Sequence, residues 1–232
     1  MAATGRQTGK DLCKHDLCTA IANRSLAGIR QDGSVSFIPD QPLFTFIGRL
    51  STQKGVDTMI EALTDLLPID PAFQILILGN GQKEIEESLL KLIHDPRYQG
   101  RICLLRGFDP IMANRVYAAG DFFLIPSKYE PCGLTDFMAQ LFANLPIVHH
   151  VGGLVKVADG KTGFAYQQHS GVALAQAMQR ALDTYRSSRS TILAMQKAAV
   201  NMIHAQYTWD KVMGRYLELY DTARDEGLSA PR

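Results

Sequence analysis

The sequence has little of what marks the specialised protein classes. Its four cysteines, Cys13, Cys18, Cys103 and Cys132, share no repeated spacing and stand beside no histidines in a zinc pattern. A disulfide-stapled scaffold and a structural zinc module are therefore excluded, and free thiols are expected, with Cys13 and Cys18 able to pair only on oxidation. An excess of one charge sign is also missing: Lys+Arg 24 meet Asp+Glu 23, and the mean hydropathy is −0.05. No bulk field draws this chain to nucleic acid or to a membrane surface. Long apolar runs are absent, since a stretch such as 122–126 falls far short of the roughly 18 residues that a membrane span needs. The start MAATGRQTGK leads into no apolar segment of the secretory type, so a cytoplasmic location is expected. No Ser-His-Asp set, HExxH or CxxC supports a hydrolase or metalloenzyme, and no metal or resident cofactor is expected.

What is present is an ordinary globular composition, 46% hydrophobic and 20% charged over 232 residues. At roughly 100–200 residues per domain, that length makes one large domain or one and a half. Residues 1–40 combine a Gly/Thr/Gln start, a helical pattern over 11–21 and a Gly/Ser/Asp-rich stretch, and are expected to be a lead-in or linker. From Pro42 onward, short apolar runs at Leu43–Ile47, 73–78, 102–105, Phe122–Ile125 and 147–151 read as strands buried on both faces. Amphipathic helices are expected between them over 55–67, 83–94, 112–119 and 134–143. That alternation predicts an α/β fold, a Rossmann-like doubly wound parallel sheet. After Gly163 no further strand is expected, only helices over 173–186, 191–205 and 210–224.

In such a sheet, ligands bind beyond the carboxyl ends of the strands, so the loops there carry the candidates. The first has Arg49 and Lys54 at its two ends, either solvated cations or a pair that fits a diphosphate. The turn at residues 79–81 is not GxGxxG. A third loop leaves Phe108 beside Gly107, either a core aromatic or a surface on which a base stacks. In the fourth, SKYEPCGLT, Gly133 permits close backbone approach, so the amides of Gly133, Leu134 and Thr135 can face a phosphate at a helix start. Glu130 there is either a helix-start acid or a group for sugar hydroxyls and developing positive charge. The fifth offers Gly152 and Gly153 as backbone donors, while His149 and His150, pointing to opposite faces, are expected to be structural or surface residues.

The strings GRLSTQKGVDTMIEAL, LGNG, RGF, DFFLIPSKYEPCGLTDFMAQLFANLPIV, GGL, KTGF and YTWDKVMGRYLELY occur in this order. Together they resemble bacterial glycogen synthases and plant starch synthases, retaining glucosyltransferases built from two Rossmann-like domains in the GT-B arrangement. The resemblance implies the C-terminal half of that fold, with residues 41–206 binding a nucleotide sugar and 207–232 forming a C-terminal helix against an N-terminal domain that has no counterpart here. It implies ADP-glucose as donor and an α-1,4-glucan as acceptor, reached through that N-terminal domain or a separately encoded half. Arg49 and Lys54 would hold the diphosphate, Phe108 with Gly107 the adenine, and Glu130 the glucose. Cys132, Gly133, Leu134 and Thr135 would serve the phosphates, and Gly152 and Gly153 the sugar side.

Three departures stand out. Met138 occupies the place where related transferases carry a ribose-binding glutamate, Val151 stands for the usual threonine, and Lys156 for the common aspartate. The alternatives are a noncatalytic nucleotide-binding half-protein, or a transferase with another donor and acceptor, uracil in place of adenine included.

Overall fold

Apolar runs that alternate with amphipathic segments can bury both only by stacking helices on the two faces of a sheet, and this chain does so. The computed structural model describes residues 8–107 and 109–229. In chain order these form α1 (Thr8–Ala22), β1 (Arg30–Gly33), β2 (Leu43–Ile47), α2 (Val56–Leu66), β3 (Gln74–Leu78), α3 (Lys83–Ile93), β4 (Ile102–Arg106), α4 (Pro110–Ala119), β5 (Phe122–Ile125), α5 (Thr135–Leu141), β6 (Leu145–His149), β7 (Phe164–Tyr166), α6 (Gly171–Ser187), α7 (Arg189–Gln206) and α8 (Trp209–Ser229). The strand order is β1-β4-β3-β2-β5-β6-β7, with β1 antiparallel to β4 and the other neighbours parallel.

The chain thus runs outward from β2 to β4, returns to the centre, and runs outward the other way from β5 to β7. Right-handed crossovers then place α2 and α3 of one half and α5 of the other on opposite faces. One face buries Met59, Leu63, Leu89 and Met178 of α2, α3 and α6 against Phe44, Phe46, Ile75, Ile77 and Leu104. The alternate residues Leu43, Leu76, Leu78 and Leu105 pack on the other face against Leu17 and Ile21 of α1 and Val116 of α4. Further along that face, Tyr117 and Ala139 cover Phe123, Ile125 and Val148. The topological switch falls between β2 and β5, adjacent strands whose following helices leave on opposite sides.

Two expectations need correcting. Residues 8–40 do not stay outside the domain as a lead-in. Leu17, Cys18 and Ile21 are buried, Lys14 Nζ lies 2.7 Å from Asp121 Oδ2, and β1 pairs along β4 from Arg30↔Arg106 to Gly33↔Cys103. Nor do strands stop at Gly163, because β7 pairs with β6 at Ile147↔Phe164 and His149↔Tyr166. Both are short edge strands, RQDG and FAY, with too few residues to show a period. All four cysteines are free, and no helix of the described residues is long and apolar enough to cross a membrane.

Candidate functional site

Helices that diverge from two adjacent strands leave a crevice at the strands' carboxyl ends. Residues 48–55 after β2 and 126–134 after β5 line it, and they are locked together. Lys128 N–H donates to Gln53 O at 3.0 Å, and Gly55, at φ 68, packs so closely that a Cβ there would overlap the Pro126 carbonyl. Across the junction Lys54 Nζ lies 2.6 Å from Glu130 Oε2, to which Ser127 Oγ also donates at 3.2 Å. The two charged side chains are 27% and 14% exposed. Arg49 is exposed and has no ion-pair partner among the described residues.

Behind this junction, two histidines fix the start of the second loop. His149 is buried with Nδ1 2.8 Å from Ser127 O and Nε2 3.1 Å from Gln167 O, and His169 Nε2 lies 3.0 Å from Pro126 O. His150 contacts Val155 O at 3.1 Å. The histidine pair after Val148 is therefore structural; His169 is a supporting residue that no sequence motif announced, and Ser127 is one that opens the SKYEPCGLT segment without a role assigned to it there.

The glycine pair is placed differently from its reading as two open donors. Gly152 (φ 55) and Gly153 lie directly on the carbonyls of Glu130 and Cys132, with no room for a Cβ at either. Gly153 N–H donates to Glu130 O at 2.7 Å and is not free for a ligand. Their first consequence is to seat the third loop against the second, which brings Glu130, Cys132, Gly133, Gly152 and Gly153 into one wall.

In that wall Gly133 adopts the left-handed region at φ 64. The N–H groups of Gly133, Leu134 and Thr135 have no acceptor among the described residues. Because α5 has only seven residues and no side-chain cap, these donors belong to the loop more than to a helix dipole. Behind them Lys156 Nζ donates to Cys132 O at 2.6 Å and to Gly133 O, lies 3.4 Å from Asp136 Oδ2 and sits 4.2 Å above the Phe137 ring. Asp136 is fully buried, and neither of its carboxylate oxygens has a hydrogen bond of good geometry among the described residues, although the Lys156 ammonium and the amides of Phe137 and Asp136 lie near enough to favour its charged form. Burial pushes its carboxyl up to about 6, against the opposing pull of the Lys156 ammonium.

Gly107 closes β4 at φ 140, and Phe108 lies outside the described residues. The neighbouring Arg106 is spent within the fold, 2.5 Å from Asp32 and 3.7 Å from Glu86. Among the described residues no three of His, Cys, Asp or Glu gather as a metal site requires.

Comparison with known proteins shows the family and the fold. The profile of the family described as Glycosyl transferases group 1 matches residues 41–184. The glycogen synthase of Xanthomonas campestris pv. campestris (strain 8004) is 39% identical over 181 residues, covering 78% of this chain and 36% of that protein. The glycogen synthase of Desulfitobacterium hafniense (strain DSM 10664 / DCB-2) is 29% identical, covering 78% of this chain and 39% of its own length. Among solved structures, the catalytic domain of starch synthase IV from Arabidopsis thaliana bound to ADP and acarbose superposes with a TM-score of 0.74 at 25% identity, covering 92% of this chain and 42% of that one. The chain therefore spans well under half the length of these relatives.

Proposed function

Because this chain belongs to the group 1 glycosyl transferases, we propose that it is the donor-binding half of a retaining α-1,4-glucan glucosyltransferase that uses ADP-glucose. The observation that carries this reading is the junction at the topological switch. There, Lys54 and Glu130 meet at 2.6 Å, and the loops that carry them also carry Arg49, with no ion-pair partner, and three N–H groups, with no acceptors, among the described residues. Such a surface has cationic and donor capacity in excess of its one carboxylate, which suits a dianionic group attached to a neutral sugar.

In the proposed reaction the bond between the glucose anomeric carbon and the diphosphate oxygen breaks. A glucan hydroxyl then bonds to that carbon with retained configuration, its O–H bond breaking and its proton passing to the departing diphosphate. Arg49, Lys54 and the amides of Gly133, Leu134 and Thr135 stabilise the charge that collects on the departing diphosphate. Glu130, fixed by Ser127 Oγ and Lys54 Nζ, faces the sugar, where positive charge develops. Phe108 stacks on the adenine, and Met138 leaves the ribose without an acid partner. The exposed residues Trp209, Met213, Tyr216 and Tyr220 recur along α8 at helical spacing. They suit contact with an N-terminal domain, which would supply the acceptor wall and exclude water.

Calorimetry with ADP, UDP and adenosine, paired with a glucan-elongation assay using labelled ADP-glucose, tests this. The chain alone is expected to bind ADP more tightly than UDP and to elongate nothing. Arg49→Ala should weaken ADP about tenfold to a hundredfold, the size of a charge-assisted hydrogen bond of roughly 1.5–3 kcal/mol, with adenosine unchanged. Equal losses for ADP and adenosine would remove Arg49 from the diphosphate, and robust turnover by the chain alone would defeat the half-enzyme reading.

A further inference from the structure

We propose that Lys156 is a positioning residue for the donor loop: its ammonium holds the carbonyls of Cys132 and Gly133 inward and so turns the N–H groups of Gly133 and Leu134 outward, toward the diphosphate. This rests on the donor-site reading above and adds to it a residue that touches no substrate.

The argument begins with the peptide plane. In a trans peptide the C=O and N–H point in opposite directions, and the described chain has no cis peptide bond. Cys132 O shares its plane with Gly133 N–H, and Gly133 O shares its plane with Leu134 N–H. Because Lys156 Nζ donates to both oxygens, both N–H groups must face away from it. Those are two of the N–H groups that find no acceptor among the described residues.

The ammonium is itself well fixed. Of its three donors two go to the carbonyls, Asp136 Oδ2 lies 3.4 Å away, and the Phe137 ring closes the remaining side at 4.2 Å. The side chain is 12% exposed, against 0% for Asp136. Besides the Gly153 backbone packed on the Cys132 carbonyl, no other donor among the described residues holds the two planes. Gly133 joins them, and glycine rotates between left- and right-handed regions at small cost. Gly133 also lies on the pair itself, since a Cβ there would stand 3.3 Å from both Lys156 Nζ and Asp136 Oδ1. Loop, lysine and buried acid therefore form one packed unit.

Lys156→Met keeps the apolar stem and removes the hold. The experiment follows the full chain, labelled with nitrogen-15, at the amides of Gly133 and Leu134 while ADP is added, alongside calorimetry with ADP and adenosine. In the unsubstituted chain both amide signals should move on ADP addition. In Lys156→Met they should not, and ADP affinity should fall about tenfold or more while adenosine affinity holds. Because raised salt weakens a long-range charge effect and leaves peptide orientation alone, the lost amide response should persist at high salt.

If Lys156→Met does not fold, Lys156→Arg and Lys156→Gln carry the same comparison. The cation able to donate twice keeps both amide responses, and the neutral residue loses at least one. Wild-type affinity with both responses intact in Lys156→Met, or in Lys156→Gln if that pair is used, overturns the positioning role and leaves the donor site standing. Failure of the unsubstituted chain to bind ADP overturns both.

Discussion

Asp121, at the amino end of β5, and Asp136, beyond its carboxyl end, are both largely buried, and their surroundings treat them in opposite ways. Asp121 Oδ2 accepts from Lys14 Nζ at 2.7 Å and from Leu43 N–H at 2.8 Å. Burial alone would raise its carboxyl, but the Lys14 and Lys10 ammoniums and the Leu43 amide outweigh it and hold the group below the usual range. Nearby, Lys10 donates to Ala118 O in the last turn of α4 and to Phe142 O just beyond α5. Asp136 has one cation at 3.4 Å and no hydrogen bond of good geometry among the described residues, and burial prevails over the Lys156 ammonium and the nearby amides, lifting it to about 6. The amino edge of the sheet consumes its charges within the fold. The carboxyl edge leaves Arg49 without an ion-pair partner and three loop N–H groups without acceptors among the described residues, so its polar capacity is directed outward.

If that contrast is right, the largest effect of any substitution on stability lies at the amino edge. Asp121→Ala takes the carboxylate from Lys14, whose side chain is 6% exposed and which keeps only its bond to the Gln41 carbonyl, and breaking a buried pair in this way costs about 3–5 kcal/mol. Urea unfolding should show a loss of that size, while the folded variant binds ADP as before. A loss below about 1 kcal/mol, or a parallel loss of ADP affinity, would erase the difference between the two edges.

The second test sharpens the comparison by pH. Asp136 has a folded-state value of about 6, above its ordinary 3.8, so between these the folded protein holds a proton that the unfolded chain has released. The stability this group contributes is fully present below about 3.8 and is lost as pH rises through about 6. Asp136→Asn cannot ionise and escapes that loss. Its stability relative to the unsubstituted protein should therefore increase from about pH 4 to about pH 7. Asp121 has the opposite sign, contributing above 3.8 and losing its contribution as pH falls through its lowered value. A stability difference for Asp136→Asn that stays flat with pH would mean that Lys156 already compensates the buried charge.

Much of this was legible in the chain because burial on both faces leaves a strong trace. Leu43–Ile47 and Phe122–Ile125 are strands with the bounds that their apolar runs suggest. β6 begins at Leu145, two residues ahead of its expected start, since Pro146 reads as a strand breaker yet sits within the strand opposite Phe123. β1 was missed because RQDG is a polar edge strand whose partner lies in β4, far along the sequence. At the site, the glycines and charged residues announced themselves by type, but what each contacts did not. Lys54 and Glu130 are 76 positions apart, and only the switch between β2 and β5 makes them neighbours. The glycine pair at 152–153 reads as ligand-facing, whereas the close approach it permits is first to the carbonyls of Glu130 and Cys132. Lys156 stands out in sequence as a lone charge among Gly, Leu and Val, which flags it without saying that its partners are two carbonyls.

The smallest expected effect concerns Glu130, the one carboxylate at the open junction, and its smallness is informative. Glu130 Oε2 holds Lys54 Nζ at 2.6 Å, so in the ligand-free protein the carboxylate competes with a diphosphate for that ammonium. Glu130→Gln removes the competitor and a nearby negative charge while keeping a side chain of the same shape. ADP affinity should stay the same or tighten by up to about threefold at low salt, with the gain fading as ionic strength rises. In an assembly completed by an N-terminal half, the same substitution removes a charge that an oxocarbenium-like sugar feels more strongly than the ground state does. Turnover should then fall far more than donor binding changes. A tenfold loss of ADP affinity in Glu130→Gln, with turnover of the completed enzyme preserved, would assign the residue a different task. It would then orient Lys54 for the diphosphate, and the carboxyl edge would be ordered by internal pairs in the same manner as the amino edge.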